Sequence, residues 1–294
     1  MNLKRFFVFF LLTVAMIAGV SACNSGGDLI VIGTKNFTEQ VILGEILAQQ
    51  IENKTSLKVD RRFNLGGTII CQQGMLSGDL DIYPEYTGTA YTTILKFPAI
   101  GDAKKVTEQL KQEYPRRFKL EWTAPFGFNN SFAMVIRGDD ARKYNVQTLS
   151  QAAKYTPQWR AGFGFEFLNR EDGFPGLSKT YNLKFADAPK VMDLGLLYRA
   201  LTDKQVDLVA GNTTDGLIPT LDLVVLKDDR QYFPPYEAAP IVRQDTLRKH
   251  PELKQVLDQL GNTISEKKMQ ELNYRVDGKK EDVKQVVREF LQSK

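Results

Sequence analysis

Short apolar runs alternate along this chain with stretches of helical spacing, and polar loops bearing glycine separate them. Leu29-Ile30-Val31-Ile32-Gly33 reads as a buried strand closed by turn chemistry. Asn36-Phe37-Thr38-Glu39 has the spacing of a capping box, and Val41, Ile42, Ile46 and Leu47 then recur at helical intervals. Residues 57–63 form a second strand pattern. Leu65-Gly66-Gly67-Thr68 is a second glycine loop, with Thr68 as N-cap of a helix running to Leu76. Residues 78–82 return as a strand and deliver Tyr83-Pro84-Glu85-Tyr86-Thr87-Gly88-Thr89 to a turn-like loop at its carboxyl end.

The second half repeats the theme. Residues 131–137 and 160–165 are strand-like, and Phe163, Phe165 and Phe167 alternate as one core-facing set. Residues 191–203 carry a helix pattern. Residues 205–210 are a strand that ends in the polar loop 211–216, where Asp215-Gly216 reads as a turn or hinge. Leu223-Val224-Val225-Leu226 is a further strand, Phe233-Pro234-Pro235-Tyr236 a rigid aromatic turn, and residues 246–293 hold two helix patterns. Alternating strands and helices predict an α/β fold, here as two lobes facing across a cleft. In open α/β sheets ligands bind beyond the carboxyl ends of strands. The two glycine loops and the tyrosine segment are therefore expected at one edge.

The start of the chain sets the compartment. Lys4 and Arg5 precede an apolar run from Phe6 to Val20, followed by Ser21-Ala22-Cys23. A charged segment, an apolar stretch too short to span a bilayer and a small-residue cut site make an export signal. A cysteine just after the cut makes it a bacterial lipobox. Residues 1–22 are thus expected to be removed, Cys23 to carry the lipid, and residues 23–28 to act as a flexible tether. The protein is expected outside the cytoplasm, anchored to a membrane.

Composition narrows the chemistry. Hydrophobic residues make up 43% and charged residues 25% of 294 positions, as in an ordinary globular protein. A net charge of +4, spread without blocks, leaves no nucleic-acid footprint. With Cys23 committed to lipid, Cys71 has no partner for a disulfide and reads as a small core hydrophobe. His250 is the single histidine, expected exposed beside Pro251, so a zinc site and a Ser-His-Asp triad are both excluded. No Walker loop or dinucleotide fingerprint occurs. An enzyme would have very little to work with, and no cofactor or metal is called for.

Six ordered motifs then carry a resemblance. They are Gly33-Thr34-Lys35-Asn36-Phe37-Thr38-Glu39-Gln40, Tyr83-Pro84-Glu85-Tyr86-Thr87-Gly88-Thr89, Phe128-Asn129-Asn130-Ser131-Phe132, Glu166-Phe167-Leu168-Asn169-Arg170-Glu171-Asp172-Gly173, Thr214-Asp215-Gly216 and Phe233-Pro234-Pro235-Tyr236. Together they resemble the substrate-binding lipoproteins and periplasmic proteins of quaternary-ammonium ABC importers, which serve glycine betaine, choline and carnitine uptake. The resemblance spans essentially the whole mature chain. It implies a type II periplasmic-binding-protein fold, with residues 29–131 and 235–294 in one lobe and 132–234 in the other. It implies a monomer that closes on a small zwitterion and passes it to a membrane permease driven by a cytoplasmic ATPase.

The resemblance also assigns roles. Tyr86 and Tyr236 fall on walls of an aromatic cage for the trimethylammonium head. Thr89 falls on an anion-binding hydroxyl, and Lys35 and Arg170 on carboxylate partners contributed by opposite lobes. Asn130 and Phe132 occupy an Asn-x-Tyr pair in which the tyrosine has become phenylalanine, and Asn212 stands where relatives carry a cage tyrosine. A quaternary ammonium has no N–H donor, so aromatic faces must hold it, each contributing roughly 1–2 kcal/mol. Micromolar binding takes about 8 kcal/mol, hence three or four faces and a carboxylate clamp. Asn212 removes one face, so an ordinary betaine pocket should be about tenfold weaker here. The alternative is a different ligand that uses Asn212, such as ergothioneine or another polar amino-acid derivative. Thr89, in place of an aspartate, favours a ligand with a carboxylate over choline.

Overall fold

The computed structural model describes residues 29–293, so the expected leader, the expected lipid site at Cys23 and the expected tether lie outside the described residues. Two five-stranded sheets organise the rest. The first has the order β2-β1-β3-β10-β4, built from β1 (Leu29–Gly33), β2 (Lys58–Arg62), β3 (Ile82–Tyr86), β4 (Leu120–Trp122) and β10 (Ala238–Arg243). The second has the order β7-β6-β8-β5-β9, built from β5 (Phe132–Arg137), β6 (Ala161–Phe163), β7 (Lys190–Val191), β8 (Leu208–Asn212) and β9 (Leu223–Leu226). In each sheet one strand runs against its neighbours: β10 against β3 and β4, and β5 against β8 and β9. β5 and β10 are the strands that follow the chain's two crossings between sheets.

Those crossings run side by side. Asn129 bridges Glu237, the Asn130 amide donates to the Tyr236 carbonyl at 3.0 Å, and the Tyr236 amide donates to Asn129 Oδ1 at 2.6 Å. Three residues expected at the ligand site, Asn130, Phe132 and Tyr236, therefore sit on the connection between lobes.

Helix Thr38–Lys54 shows why the first core forms. Ile42, Leu43, Ile46, Leu47 and Ile51 are fully buried at helical spacing against the C-terminal helices and the sheet. Its start corrects the expected capping box: the helix begins at Thr38, with Phe37 at the N-cap and no side-chain cap. Helix Thr68–Ser77 begins one residue earlier than expected, with Gly67 in place of Thr68 at the N-cap.

The tyrosine segment also departs from the expected loop. Ile82 to Tyr86 form the central strand β3, buried on both faces, and only Thr87–Thr89 turn into a helix. Pro84 is tolerated there because it lies opposite Pro240, and neither position is needed as a ladder donor. Their carbonyls point away from each other, to Gln40 Nε2 at 3.0 Å and the Thr123 amide at 3.1 Å. Tyr83 packs in the core, with its hydroxyl donating to Glu85 at 2.8 Å. Gly88 is required by close approach: a Cβ would lie 2.6 Å from the Pro235 carbonyl oxygen and 2.7 Å from the Tyr236 ring.

Other boundaries shift for local reasons. β6 ends at Phe163, and residues 165–169 are helical, so Phe165 and Phe167 point in opposed directions. Phe163 and Phe167 are core, but Phe165 is 70% exposed. Residues 191–203 divide into the end of β7, a 3-10 turn at Leu194–Leu196 and helix Leu197–Thr202. The C-terminal region holds four helices in place of two: Gln244–Lys249, Glu252–Asp258, Glu266–Asp277 and Val283–Gln292. Pro251 biases His250 out of helical geometry and divides the first pair. His250, expected exposed, is half-buried with Nδ1 3.8 Å from Glu252. Cys71 is fully buried, as expected.

The lobes meet at helix Thr68–Ser77. Glu166, from the second lobe, accepts from the Thr68 amide at 2.6 Å and so caps a helix of the first. A Cβ at Gly67 would lie 2.1 Å from Glu166 Oε1, so this contact needs glycine. Removing a cap of this kind costs about 1 kcal/mol. Glu166→Ala should therefore shift the unliganded protein toward separated lobes about fivefold. Scattering or a dye pair across the lobes would register this; an unchanged distribution would make the contact incidental.

Candidate ligand cleft

Between the lobes lies a cavity of about 510 Å³, within the range of small-molecule clefts. All eight residues expected to contact ligand line it: Lys35, Tyr86, Thr89, Asn130, Phe132, Arg170, Asn212 and Tyr236. They arrive from separate places. Lys35 follows β1, Tyr86 ends β3, Thr89 lies in the turn after it, Phe132 opens β5, Arg170 follows helix Phe165–Asn169, and Asn212 ends β8. Asn212, expected in a loop, is thus a strand residue paired with Phe132. The exposed Phe165 joins the lining with Val191, Met192 and Leu194 as an apolar wall of the second lobe.

Phe132 is the aromatic centre. Its ring meets Phe167 edge-on at 4.9 Å, Tyr236 at 5.8 Å and Phe233 at 5.9 Å. Tyr86 stacks on Phe37 at 6.3 Å. Two protein cations already lie over these rings: the Lys35 ammonium 5.2 Å from the Tyr86 centroid and the Arg170 guanidinium 5.2 Å from that of Phe132.

Each of these cations has a buried carboxylate of its own. Lys35 pairs with Glu85 at 2.5 Å, both sealed from solvent. Arg170 grips Asp172 through Nε at 2.9 Å and Nη2 at 2.5 Å, while Nη2 also donates to Thr89 Oγ1 across the cleft at 3.1 Å. Nη1 is less engaged, 3.6 Å from Glu166. Asp172 accepts further bonds from Tyr236 Oη at 2.7 Å and Thr92 Oγ1 at 2.9 Å. Burial pushes the Asp172 carboxyl up, but Arg170 and the two hydroxyls hold it below the usual carboxylate range.

Glu39 has no cation. Its Oε1 accepts from Tyr86 Oη and Asn130 Nδ2, each at 2.7 Å, and its Oε2 from Thr214 Oγ1 at 2.5 Å and Asn273 Nδ2 at 3.1 Å. Burial raises its pKa, and the four hydrogen bonds offset only part of the rise. Burial and the nearby Glu39 also push the Tyr86 phenol well above its ordinary range, which keeps it a donor. Sequence reasoning placed Glu39 in a helix cap. Its position three residues after Asn36 points to solvent, and its place in the first motif assigned it no role.

Behind Asn212, half-buried Asp215 accepts from the Asn212 amide at 2.9 Å and from the Tyr198 hydroxyl. Its turn position matches expectation. Loss of solvent pushes its carboxyl up to about 6, against the pull of those two bonds, and Glu39 and Asp277 add repulsion.

A two-lobed α/β fold of the type II periplasmic-binding-protein kind, with one cleft lined from both sheets, defines a solute receptor. Residues 28–293 match the family described as the substrate binding domain of ABC-type glycine betaine transport systems. The carnitine transport binding protein OpuCC of Listeria monocytogenes is 41% identical over 270 residues, covering 91% of this chain and 87% of that protein. The ergothioneine transport permease/ergothioneine binding protein EgtU of Helicobacter pylori is 38% identical, covering 90% of this chain and 47% of that protein. A crystal structure of a glycine betaine/carnitine/choline ABC transporter aligns with a TM-score of 0.74 at 36% identity, covering 90% of this chain and 98% of that one. The chain belongs to this family of substrate-binding domains, and it is a substrate-binding protein of an ABC-type transport system.

The folded protein holds the Asp215 proton more tightly than the unfolded chain, whose carboxyl titrates near 3.8. Its contribution to stability is therefore full below that value and lost as pH rises through about 6. Asp215→Asn has no such proton. Between pH 4 and 7 the stability difference should move toward the variant by about 1–3 kcal/mol, read from denaturant midpoints. Parallel curves would return Asp215 to an ordinary pKa.

Proposed function

We propose that this protein is the lipid-anchored, extracytoplasmic receptor of an ABC importer and captures a small quaternary-ammonium zwitterion of the glycine betaine type. The observation that carries this reading is one cavity that gathers Tyr86, Phe132 and Tyr236 from both sides of the lobe junction and sets Arg170 beside them. Aromatic faces suit a cation that cannot donate a hydrogen bond. The ligand carboxylate takes Arg170 Nη1 and the Thr89 hydroxyl, while Nε and Nη2 stay on Asp172. Lys35, committed to Glu85, contributes field more than a direct clamp.

Lobe 1 comprises residues 29–131 and 235–294 and lobe 2 residues 132–234, and the paired crossings serve as the hinge. Closure brings Arg170 of one lobe to Thr89 of the other, and the loaded monomer hands its ligand to a permease coupled to a cytoplasmic ATPase. Cys23 supplies the anchor. No helix among the described residues is long and apolar enough to cross a membrane.

One observation favours a second reading. Asn130 Oδ1 is buried without a partner, and Asn212 presents an amide where a ring was expected. A simple betaine has no N–H for either. Ergothioneine joins a betaine head to a ring with N–H, and EgtU, named for that ligand, is among the relatives.

Calorimetry with glycine betaine, carnitine, choline, proline betaine and ergothioneine should show binding of at least one. Silence from all at millimolar concentration would overturn the quaternary-ammonium reading, and ergothioneine alone would select the second. Tyr236→Ala should abolish binding of the active ligand. Arg170→Ala should weaken zwitterions at least about tenfold more than choline, as expected for loss of a charge-assisted hydrogen bond.

Asn212→Tyr restores a face to the cavity and should raise betaine affinity about tenfold. Unchanged affinity would place position 212 outside the ammonium subsite.

A further inference from the structure

Both tyrosines on the cavity wall give their hydroxyls to buried carboxylates, Tyr86 to Glu39 and Tyr236 to Asp172, each at 2.7 Å. A carbonyl or amide oxygen would satisfy a buried hydroxyl at less desolvation cost than a carboxylate. A charged acceptor does something a neutral one does not. It draws the phenolic proton toward itself and leaves electron density on the ring, and an electron-richer ring attracts a cation more strongly over its face.

The two acceptors differ in strength. The charge of Asp172 is shared with Arg170, which holds both its oxygens, and with Thr92. Glu39 has only neutral donors. Asn130 and Asn273 approach one oxygen each through Nδ2, which can only donate, so both oxygens of Glu39 act as acceptors. Low local dielectric enlarges the effect of an uncompensated charge. The ring that receives it already carries a cation, the Lys35 ammonium.

We propose that Glu39 is a specificity-determining positioning residue: it fixes Tyr86 through the hydroxyl and makes that ring a stronger cation receptor. It offsets the aromatic face absent at Asn212, and Asp172 does the same for Tyr236 to a smaller degree. Phe132, with no hydroxyl, has no counterpart to this device. The proposal rests on the quaternary-ammonium reading above and adds to it the group that sets preference for positive charge.

The test compares glycine betaine with 3,3-dimethylbutanoate, in which carbon replaces nitrogen so that shape and carboxylate persist while the positive charge is gone. Binding of both to wild type, Glu39→Gln, Tyr86→Phe and the double variant is measured by calorimetry. Each single variant should weaken betaine about three- to tenfold and change the carbon isostere less than about twofold; the double variant should match the singles. Tyr236→Phe should lose about twofold toward betaine. Equal losses for both ligands would show Glu39 to be structural only and overturn the proposal, as would additive effects in the double variant. If Glu39→Gln lacks a cooperative thermal transition, Tyr86→Phe decides the outcome, since it keeps the ring and removes only the donor. A wild type that binds no quaternary ammonium would instead remove the reading on which the proposal stands.

Discussion

A carboxylate taken out of water without a cation must find hydrogen-bond donors, and the structure around Glu39 is shaped by that requirement. Its donors come from β3, the crossing at Asn130, the loop after β8 and helix Glu266–Asp277, while Glu39 itself sits in the first helix. Both lobes and the connection between them thus converge on two oxygen atoms. Satisfying them orients Tyr86 and Asn130, the two cleft residues that share Oε1. The loop carrying Thr214 and Asp215 is held against the first lobe by the same carboxylate.

The charges of the cleft follow a second constraint. Lys35 and Arg170 are buried, and a buried cation needs a close anion. Glu85 and Asp172 supply these. The charges of the cleft are thus paired within the protein, and its less committed groups are the ring faces, the Nη1 arm of Arg170 and the Thr89 hydroxyl. Gly67 and Gly88 allow close approach, of Glu166 from the second lobe in one case and of the Pro235-Tyr236 segment in the other.

Much of this was legible from residue order. Strand β1, the Thr38–Lys54 helix and β9 are strongly patterned, and the six motifs carried seven of the eight cleft residues, all but Asn212; all eight line one cavity. Local pattern misled where tertiary demand overrode it. Asn36 and Glu39 have cap spacing, but Glu39 turns inward because four donors await it there. Phe163, Phe165 and Phe167 alternate like a strand, yet the backbone changes to helix after Gly164 and sends Phe165 to the cleft. The tyrosine segment reads as a turn because of its proline and glycine. Pro84 instead lies within a central strand, opposite Pro240, where its missing N–H is not required.

Residue order by itself determined the fold class, the two-lobed plan and eight of the side chains that line the cleft, because periodicity and motif spacing are properties of the chain. It could not determine which charges remain free, since Lys35 and Glu85, or Tyr86 and Glu39, are distant in sequence and meet only when the loop after β1 and the helix that follows it pack against β3. Asn212 likewise reads as a lost tyrosine in the chain, but its strand pairing with Phe132 and its backbone bond to Asp215 exist only in the fold. Hydrogen-bond partners and burial decide what each cleft residue can do, and both are consequences of tertiary packing.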